Sequence, residues 1–418
     1  MSDKKELVSE SVPEWQLELD RVGFLRRILL ARKWYKGDWW FVLISGIMLL
    51  FIITVGIFPQ WFAPHDPREE VGPSLLAPGE ETPSFIVLAG SDSDAIKFAD
   101  IAGRKNKVGY IMGSQATQAM RDTLDRLNTQ AEEEGIDIIY QPRGGRYETI
   151  DEGLEDLTNG KLDGFIASEE ELNVAETDFS NFVRIDELRS SKADSFILGT
   201  NQIGQDILSR IIWGTRIALI VGLSSALVSF IVGVPLGLFS GFIGGPVDRI
   251  LTLFMDSLYT FPGLILAISI AAVLGAGIGN IIVAIAVLYV PTYFRIVRGQ
   301  TLTVKNELYV KAAHSLGARP LKILTKYIFP NVLPSVVIIF SVNVADAILT
   351  EAGLSFIGLG LPPDTPDWGI DLARGQDYLR RAWWLITFPG AMVSCVTLAF
   401  SMLGESLSEI LNPRLSEL

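Results

Sequence analysis

Residues 301–331, TLTVKNELYVKAAHSLGARPLKILTKYIFPN, decide the fold class of this chain. They form a short basic segment between two long apolar runs. Leu308, Ala312 and Leu316 recur at i, i+4 and i+8 with Ala313 beside them, the spacing of one helix face. Gly317 stands where a helix ends in the left-handed conformation, and Pro320 where the next one begins. Pro330 and Pro334 are expected to stop that second helix before the next apolar run. A small rigid helix held at a membrane surface can hand force to a soluble partner. The same spacing also fits an interfacial helix that only packs on lipid.

Outward from this segment the composition is that of a membrane protein. Of 418 residues 49% are hydrophobic, and the mean hydropathy is +0.34, too apolar for an ordinary soluble enzyme. Six apolar runs approach the roughly twenty residues that span a bilayer. They are Trp40–Phe58, Ile217–Phe239, Ile250–Leu274, Ile278–Phe294, Ser335–Ile357 and Leu385–Leu407. The expected fold is therefore an all-α polytopic bundle of six membrane helices. The first run begins too far along the chain for a cleavable leader and is expected to act as an uncleaved anchor.

Charge sets the orientation. The net charge is −13, yet residues 64–199 alone carry 28 acidic and 13 basic residues, so the remainder is slightly basic. Arg21, Arg26, Arg27, Arg32, Lys33 and Lys36 precede the first run. Arg295, Arg298, Lys305, Lys311, Arg319, Lys322 and Lys326 crowd the segment quoted above, against Glu307 alone. By the positive-inside rule both regions are cytoplasmic. The acidic stretch then lies outside and both termini inside.

The order of motifs carries a resemblance. Ala312-Ala313, Gly317 and Ile328-Phe329-Pro330 resemble the EAA loop of ABC-importer permeases, which docks into a cleft of the ATPase subunit. LGTNQIGQDILSRIIWGTRIAL (198–219), FMDSLYTFPGLILAI (254–268) and YFRIVRGQTL (293–302) are similar to segments of the dipeptide/oligopeptide/nickel class of such permeases. ILTEAGLSFIGLGLPPDTPDWG (348–369) and FPGAMVSCVTLAFSMLGESLSEILNPRL (388–415) follow in family order. The chain departs from the family at Gly204-Gln205-Asp206, where GRD is usual, at Asn412-Pro413-Arg414, where DPR is usual, and at Lys311, where the broader consensus has Glu.

The resemblance implies a type I importer permease divided as follows: a cytoplasmic segment 1–39, a first membrane helix 40–58, an extracytoplasmic insert 64–197, and a permease core 198–418 with its coupling loop at 299–334. Tyr309, Val310, Lys311, Ala312, Ala313, His314, Ser315, Leu316 and Gly317 become the residues expected to couple to the ATPase. Pro362, Pro366 and Trp368 are expected on the outward rim that meets a binding protein. The implied partners are a second related permease, two ATP-binding subunits, an extracytoplasmic substrate-binding protein and membrane lipid, with no nucleic acid. The implied location is a bacterial or archaeal cytoplasmic membrane.

Physical readings stand beside these. Asp256, Asp346, Glu351 and Glu405 lie within or beside apolar runs, where ionisable groups are costly and should face the bundle interior or a wet path. A structural partner such as an arginine is the plainer explanation for each. Gly233, Gly237, Gly241 and Gly244 recur at spacings that permit close helix approach.

The insert reads differently. Pro64–Pro83 is rich in Pro, Gly and Glu and reads as a linker. Short β-rich runs follow at Ser84–Ala89, Lys107–Met112, Ile136–Tyr140, Gly164–Ala167 and Phe182–Ile185. Amphipathic helices are expected over Gln115–Glu134 and Ile150–Leu157. This alternation predicts a small α/β domain, about residues 84–190, with a largely parallel sheet. KVGYIMGSQATQAM (107–120) and YETIDEGLEDLTNGKLDGFIAS (147–168) are similar to one lobe of type II solute-binding proteins. In such lobes the helix after Gly113-Ser114 can hold a carboxylate; an ordinary helix cap is the plainer reading of Ser114.

What the chain lacks narrows the function. One cysteine and two histidines cannot build a disulfide framework or a zinc site, and no metal site is expected. No GxxxxGK[ST] loop occurs, so ATP and magnesium are expected on partner subunits, with no cofactor in this chain and no enzyme activity of its own. The reading is a translocation subunit of an ATP-driven peptide importer. Alternatives are the same machine for nickel chelates or sugars, or a membrane-anchored sensor or channel subunit.

Overall fold

The computed structural model describes residues 36–411 apart from 81, 83, 92, 104, 112–115, 134–138, 175–180 and 190–194. The sequence readings of the segment before Lys36, of Ser114 and of Asn412-Pro413-Arg414 lie outside the described residues. Two compact units emerge. One takes in the chain through Phe62, Ile211–Asp377 and the part from Ile386 onward; the other is Ala63–Arg210 with Tyr378–Leu385.

After α1 (Lys36–Ile57) the chain enters the second unit, whose sheet is built on β1 (Ser84–Gly90). Every residue between Ser84 and Gly90 is buried, because β1 has helices on both faces. Phe85 and Val87 pack with Ala116, Ala119 and Met120 of α2 (Ala116–Glu133). Ile86 and Leu88 pack with Leu154 and Leu157 of α3 (Ile150–Thr158). A period of two thus divides one apolar run between two cores. The other strands are β2 (Lys107–Ile111), β3 (Arg143–Tyr147), β4 (Gly164–Ser168) and β5 (Phe182–Arg189), in the spatial order β3-β2-β4-β1-β5.

One expectation for this unit is corrected and one strand is added. The sheet is mixed: β2 pairs parallel with β3 and β4, while β1 is antiparallel to β4 and β5. The end of β1 and the start of β2 lie at the same end of the sheet. A link holding only the helical turn Phe98–Ile101 therefore joins them without crossing a face. The third strand among the described residues is Arg143–Tyr147; of the run read at Ile136–Tyr140, residues 136–138 lie outside the described residues and Tyr140 makes an isolated bridge to Gly103. Arg143–Tyr147 carries no apolar alternation. Its Gly144 lies where a Cβ would come 3.1 Å from the Tyr110 ring, so glycine lets this edge strand close on its neighbour.

The stretch read as a linker is folded. Val71 and Leu76 pack with Phe196, and Leu75 N–H donates to Asn201 O at 2.9 Å and Gly79 N–H to Phe196 O at 2.8 Å. The unit consequently extends beyond residue 197 to Arg210, and it includes Trp384, whose indole donates to Thr200 O at 3.2 Å.

The first unit holds α1, most of α4 (Ile207–Ile243), α5 (Gly245–Thr260), α6 (Gly263–Leu274), α7 (Ile278–Val304), α8 (Leu308–Ser315), α9 (Phe329–Phe356), α10 (Trp368–Gly375) and most of α11 (Trp384–Leu411). Among the described residues five helices are long and apolar enough to cross a membrane, or up to six if one bent pair is a single span. That pair is α5 and α6, where the sequence predicts one run over Ile250–Leu274; they meet at 91°. Pro262 is the cause. It supplies no N–H, and the residue before it, Phe261, is held extended at φ −71° and ψ 137°.

Nor do Pro330 and Pro334 stop a helix. The segment from Pro320 to Phe356 is one continuous apolar helical stretch of 37 residues. A π turn at Leu324–Ile328 precedes Pro330 and opens the backbone where the proline ring would meet a carbonyl. Gly233, Gly237 and Gly241 form a stripe on α4 facing α7. Added Cβ atoms there would lie 2.6 Å from Tyr293 Cβ, 2.7 Å from Phe294 O and 2.8 Å from Thr301 Cβ. Gly244 belongs to the turn after α4 and faces open space.

Candidate functional site: an apolar ridge on a buried base

The base comes first. Val310 of α8, with Ile323, Leu324 and Ile328 after it, is buried in a cluster with Val234 and Leu238 of α4 and Tyr293 and Val297 of α7, and Ala313 is buried on the same helix. Four aliphatic side chains from α8 and the turns after it, anchored against α4 and α7, leave α8 little freedom to rock on its own. Lys305, just past α7, donates its ammonium to the Phe242 carbonyl and lies 5.7 Å from the centre of that ring, tying the loop to the end of α4. At the far end Gly317 adopts φ 78°. Gly317 N–H donates to His314 O at 3.0 Å and Ala318 N–H to Ala313 O at 3.1 Å. These paired bonds close the helix as a Schellman cap, which a left-handed residue permits.

The ridge follows from that base. Leu308, Ala312 and Leu316 lie on the opposite side from Val310 and Ala313. Leu308 is 82% and Leu316 88% exposed, and Leu321 in the next turn is 64% exposed. Tyr309, Lys311, His314 and Ser315 are also exposed around them. The Tyr309 phenol is held above its ordinary pKa, first by desolvation and then by the Glu307 carboxylate, so it stays a neutral hydrogen-bonding group at physiological pH. Three exposed leucines on two short turns make an apolar surface that water solvates poorly. The sequence did not point to Leu321, which belongs to no helix repeat with α8.

The four carboxylates part company. Glu351 is buried, accepts from Ser355 Oγ at 2.8 Å and neighbours Asp367, whose own carboxylate accepts from Ile370 N–H at 2.9 Å. Asp256, Asp346 and Glu405 are exposed on this chain, so of the four only Glu351 lies in its interior. Asp256 has the structural partner that the plainer reading asks for: Arg295 Nη2 lies 2.9 Å from its Oδ1, and the same guanidinium sits 4.0 Å over the Tyr259 ring. A second pair, unread in the sequence, is bidentate. Arg298 bonds both oxygens of Asp248, at 2.5 and 2.7 Å, and joins α7 to α5.

The expected rim is also corrected. Pro362 is exposed, but Pro366 is buried and Trp368 is 1% exposed. Trp368 Nε1 donates to Ile211 O at 3.1 Å, and its ring lies over Gly214, where a Cβ would come within 2.7 Å. An indole with one donor, placed among apolar helices, is held by that bond and by its area. Trp368 is an anchor for α10, not a surface contact.

The Gly204-Gln205-Asp206 departure also acquires a reason. Gln205 Oε1 accepts from Arg210 at 2.9 Å and from Asn201 Nδ2 at 2.8 Å, while its Nε2 donates to Arg68 O at 3.0 Å. Asp206 accepts from Ser209 N–H and Oγ at 2.9 and 2.6 Å. Gln205 is one acceptor for buried Arg210, which also donates to Pro67 O at 3.1 Å.

Residues 233–417 match the family described as binding-protein-dependent transport system inner membrane component. The glutathione transport system permease protein GsiD of Pectobacterium atrosepticum is 39% identical over 238 residues, which cover 57% of this chain and 79% of that protein. The di/tripeptide transport system permease protein DppC of Pseudomonas aeruginosa is 39% identical over 220 residues, covering 53% and 73%. Among solved structures, the MetNI methionine ABC transporter in inward-facing conformations covers 47% of this chain and 96% of that chain, at 18% identity and a TM-score of 0.38. That likeness is too slight to bear on the fold.

Proposed function

From the premise that this chain belongs to the inner membrane components of binding-protein-dependent transport systems, we propose that it is the translocation subunit of an ATP-driven importer of short peptides. The observation that carries the mechanism is the apolar ridge Leu308–Leu316–Leu321 on its buried base. Such a ridge is suited to a cleft on an ATP-binding subunit, which would hold ATP and magnesium. Closure of two such subunits around ATP would push this helix and the twin helix of a second permease. The base at Val310, Ala313 and Ile323 would pass that push to α4 and α7, and the bundle would rock between inward-open and outward-open. ATP drives the cycle only by its greater affinity for the closed state.

Peptide cargo is supported by relatives named for glutathione and for di- and tripeptides. Nickel chelates and sugars are the competing cargoes. On the topology proposed, α8 faces the cytoplasm with both termini, and residues 63–210 lie outside. There the α/β domain, similar to one lobe of a solute-binding protein, serves as a docking or regulatory module for the partner binding protein. With a single lobe it cannot close around cargo by itself.

Purification of the full chain with its co-expressed partner subunits tests the reading. ATP-binding subunits should co-elute, and proteoliposomes should take up a labelled dipeptide only with ATP and the binding protein. Co-elution with uptake of a nickel chelate or sugar in place of peptides would replace the cargo. A chain that elutes without ATP-binding subunits and transports nothing would overturn the importer reading.

A further inference from the structure

A cavity of about 590 Å³ opens beside the ridge, between the end of α4 and the flank of α8. Phe242, Ile243 and Ile323 form its apolar wall, and Lys305, Lys311 and His314 line it with nitrogen donors. No carboxylate lines it. We propose that this cavity binds the phosphate headgroup of an anionic phospholipid from the leaflet that meets the coupling loop.

Three features point to that occupant. Lys305 is not a waving surface lysine: the Phe242 carbonyl takes one of its N–H groups, which fixes the cation and leaves its other donors for a second acceptor. Lys311 and His314 are three residues apart on α8, so they project from neighbouring positions of one face. A phosphate oxygen placed among them can accept from more than one donor, with charge assistance. The wall chooses lipid over a free ion. Ile243 is 57% exposed at the last turn of a membrane-spanning helix, and it continues the apolar surface of α4 along which an acyl chain can lie. The cavity is also far larger than a phosphate needs and suits a glycerophosphate headgroup.

The site stands apart from the ridge. Leu308, Ala312, Leu316 and Leu321 are not among its lining residues, while Lys311, His314 and Ser315 are, so a headgroup would sit along the flank of the surface offered to an ATP-binding subunit. A bound headgroup would brace α8 against α4 from the membrane side, and membrane composition would thereby set how firmly the coupling helix is held. The inference needs only the membrane location of the chain, so lipid binding and transport fail independently.

The full chain, purified in detergent, is titrated with short-chain phosphatidylglycerol and phosphatidylcholine and followed by native mass spectrometry. Phosphatidylglycerol should be retained selectively. Lys311→Gln with His314→Gln should lower its retention about tenfold, since each basic contact near an anionic headgroup contributes a several-fold share. The charge-keeping variant Lys311→Arg should retain it, which separates lost charge from a disturbed fold. Lys322→Gln with Lys326→Gln, outside the cavity, should change it less than twofold. Equal retention of both lipids would overturn the proposal, as would an equal loss in the Lys322/Lys326 control. Displacement by inorganic phosphate at the concentration of the lipid would make it a free-anion site and overturn the lipid assignment.

Discussion

Replacing Leu308 and Leu316 together by serine separates docking from folding. Both side chains are more than four-fifths exposed, and neither belongs to the cluster that anchors α8. The helix keeps Val310, Ala313 and its Schellman cap, so the fold of the chain should not change. Docking should change a great deal. A leucine carried from water into a fully apolar cleft contributes about 1.5–3 kcal/mol. Two of them give roughly 3–6 kcal/mol, discounted at the lower end because a docking cleft seldom buries a side chain completely. At about 1.4 kcal/mol per factor of ten, the lower figure alone weakens association by about a hundredfold. The assay is binding of the detergent-solubilised variant to immobilised ATP-binding subunits, with the melting temperature of the same sample as the control for folding. Association should fall by about two orders of magnitude or more at an unchanged melting temperature. Wild-type association would refute the ridge as the docking surface. A melting temperature lowered in step with binding would mean that the leucines hold the fold.

The base should respond in the opposite sense: Gly237→Val places a side chain where even a Cβ would lie 2.7 Å from Phe294 O. The α4–α7 contact should lose about 1–3 kcal/mol, read as a lower melting temperature with the ridge intact. Gln205→Ala removes a side-chain acceptor of buried Arg210 and should destabilise residues 63–210 by about 1–3 kcal/mol, seen as earlier proteolytic cleavage there. The proposed topology is checked with an impermeant thiol reagent on Gln130→Cys and Lys326→Cys, each in a Cys395→Ser background. Cells with permeabilised walls should label position 130 and spare position 326, and the reverse pattern would invert the orientation.

Local chemistry that depends on one residue and its near neighbours was legible in the sequence. Gly317 and Pro320 mark a helix end and a helix start because backbone conformation is written in the residue type. The glycines at 233, 237 and 241 share one face by arithmetic alone. Legibility ended where a partner lay far along the chain. Trp368 looks like an exposed aromatic beside three prolines, and only Gly214 and the Ile211 carbonyl, more than 150 residues earlier, make it an anchor. Arg143–Tyr147 has no strand pattern because its fit is glycine against Tyr110, a property of the pair. Pro330 and Pro334 misled for a related reason: a proline stops a helix only when the preceding turn cannot widen, and the π turn at Leu324–Ile328 lies upstream. Of the four carboxylates, hydropathy placed all in apolar runs, but it carries no azimuth. Whether Asp256 or Glu351 faces inward is set by helix rotation and by partners such as Arg295 and Ser355.

How the chain accommodates its α/β domain follows from the segment read as a linker. Residues entering the insert are bonded to residues leaving it: Leu75 to Asn201, Gly79 to Phe196, and Val71 and Gly72 to Gly204. This clamp closes the loop before the domain begins, so everything between it is added to a loop whose ends are already joined. The entropic cost of lengthening such a loop grows only as the logarithm of its length, about 0.6 kcal/mol per doubling. Gln205 is part of the same clamp, through its Nε2 bond to Arg68 O. The corresponding prediction is that a flexible linker of a few residues can replace Ser84–Lys192. The clamp residues stay, so the variant should insert, keep its melting temperature within a few degrees and bind ATP-binding subunits as before. Transport, or affinity for the binding protein, should fall, because the docking module is gone. Loss of membrane assembly would show that the domain is structural and that the clamp does not close the loop by itself. Unchanged uptake together with unchanged binding-protein affinity would remove the docking role proposed for the domain.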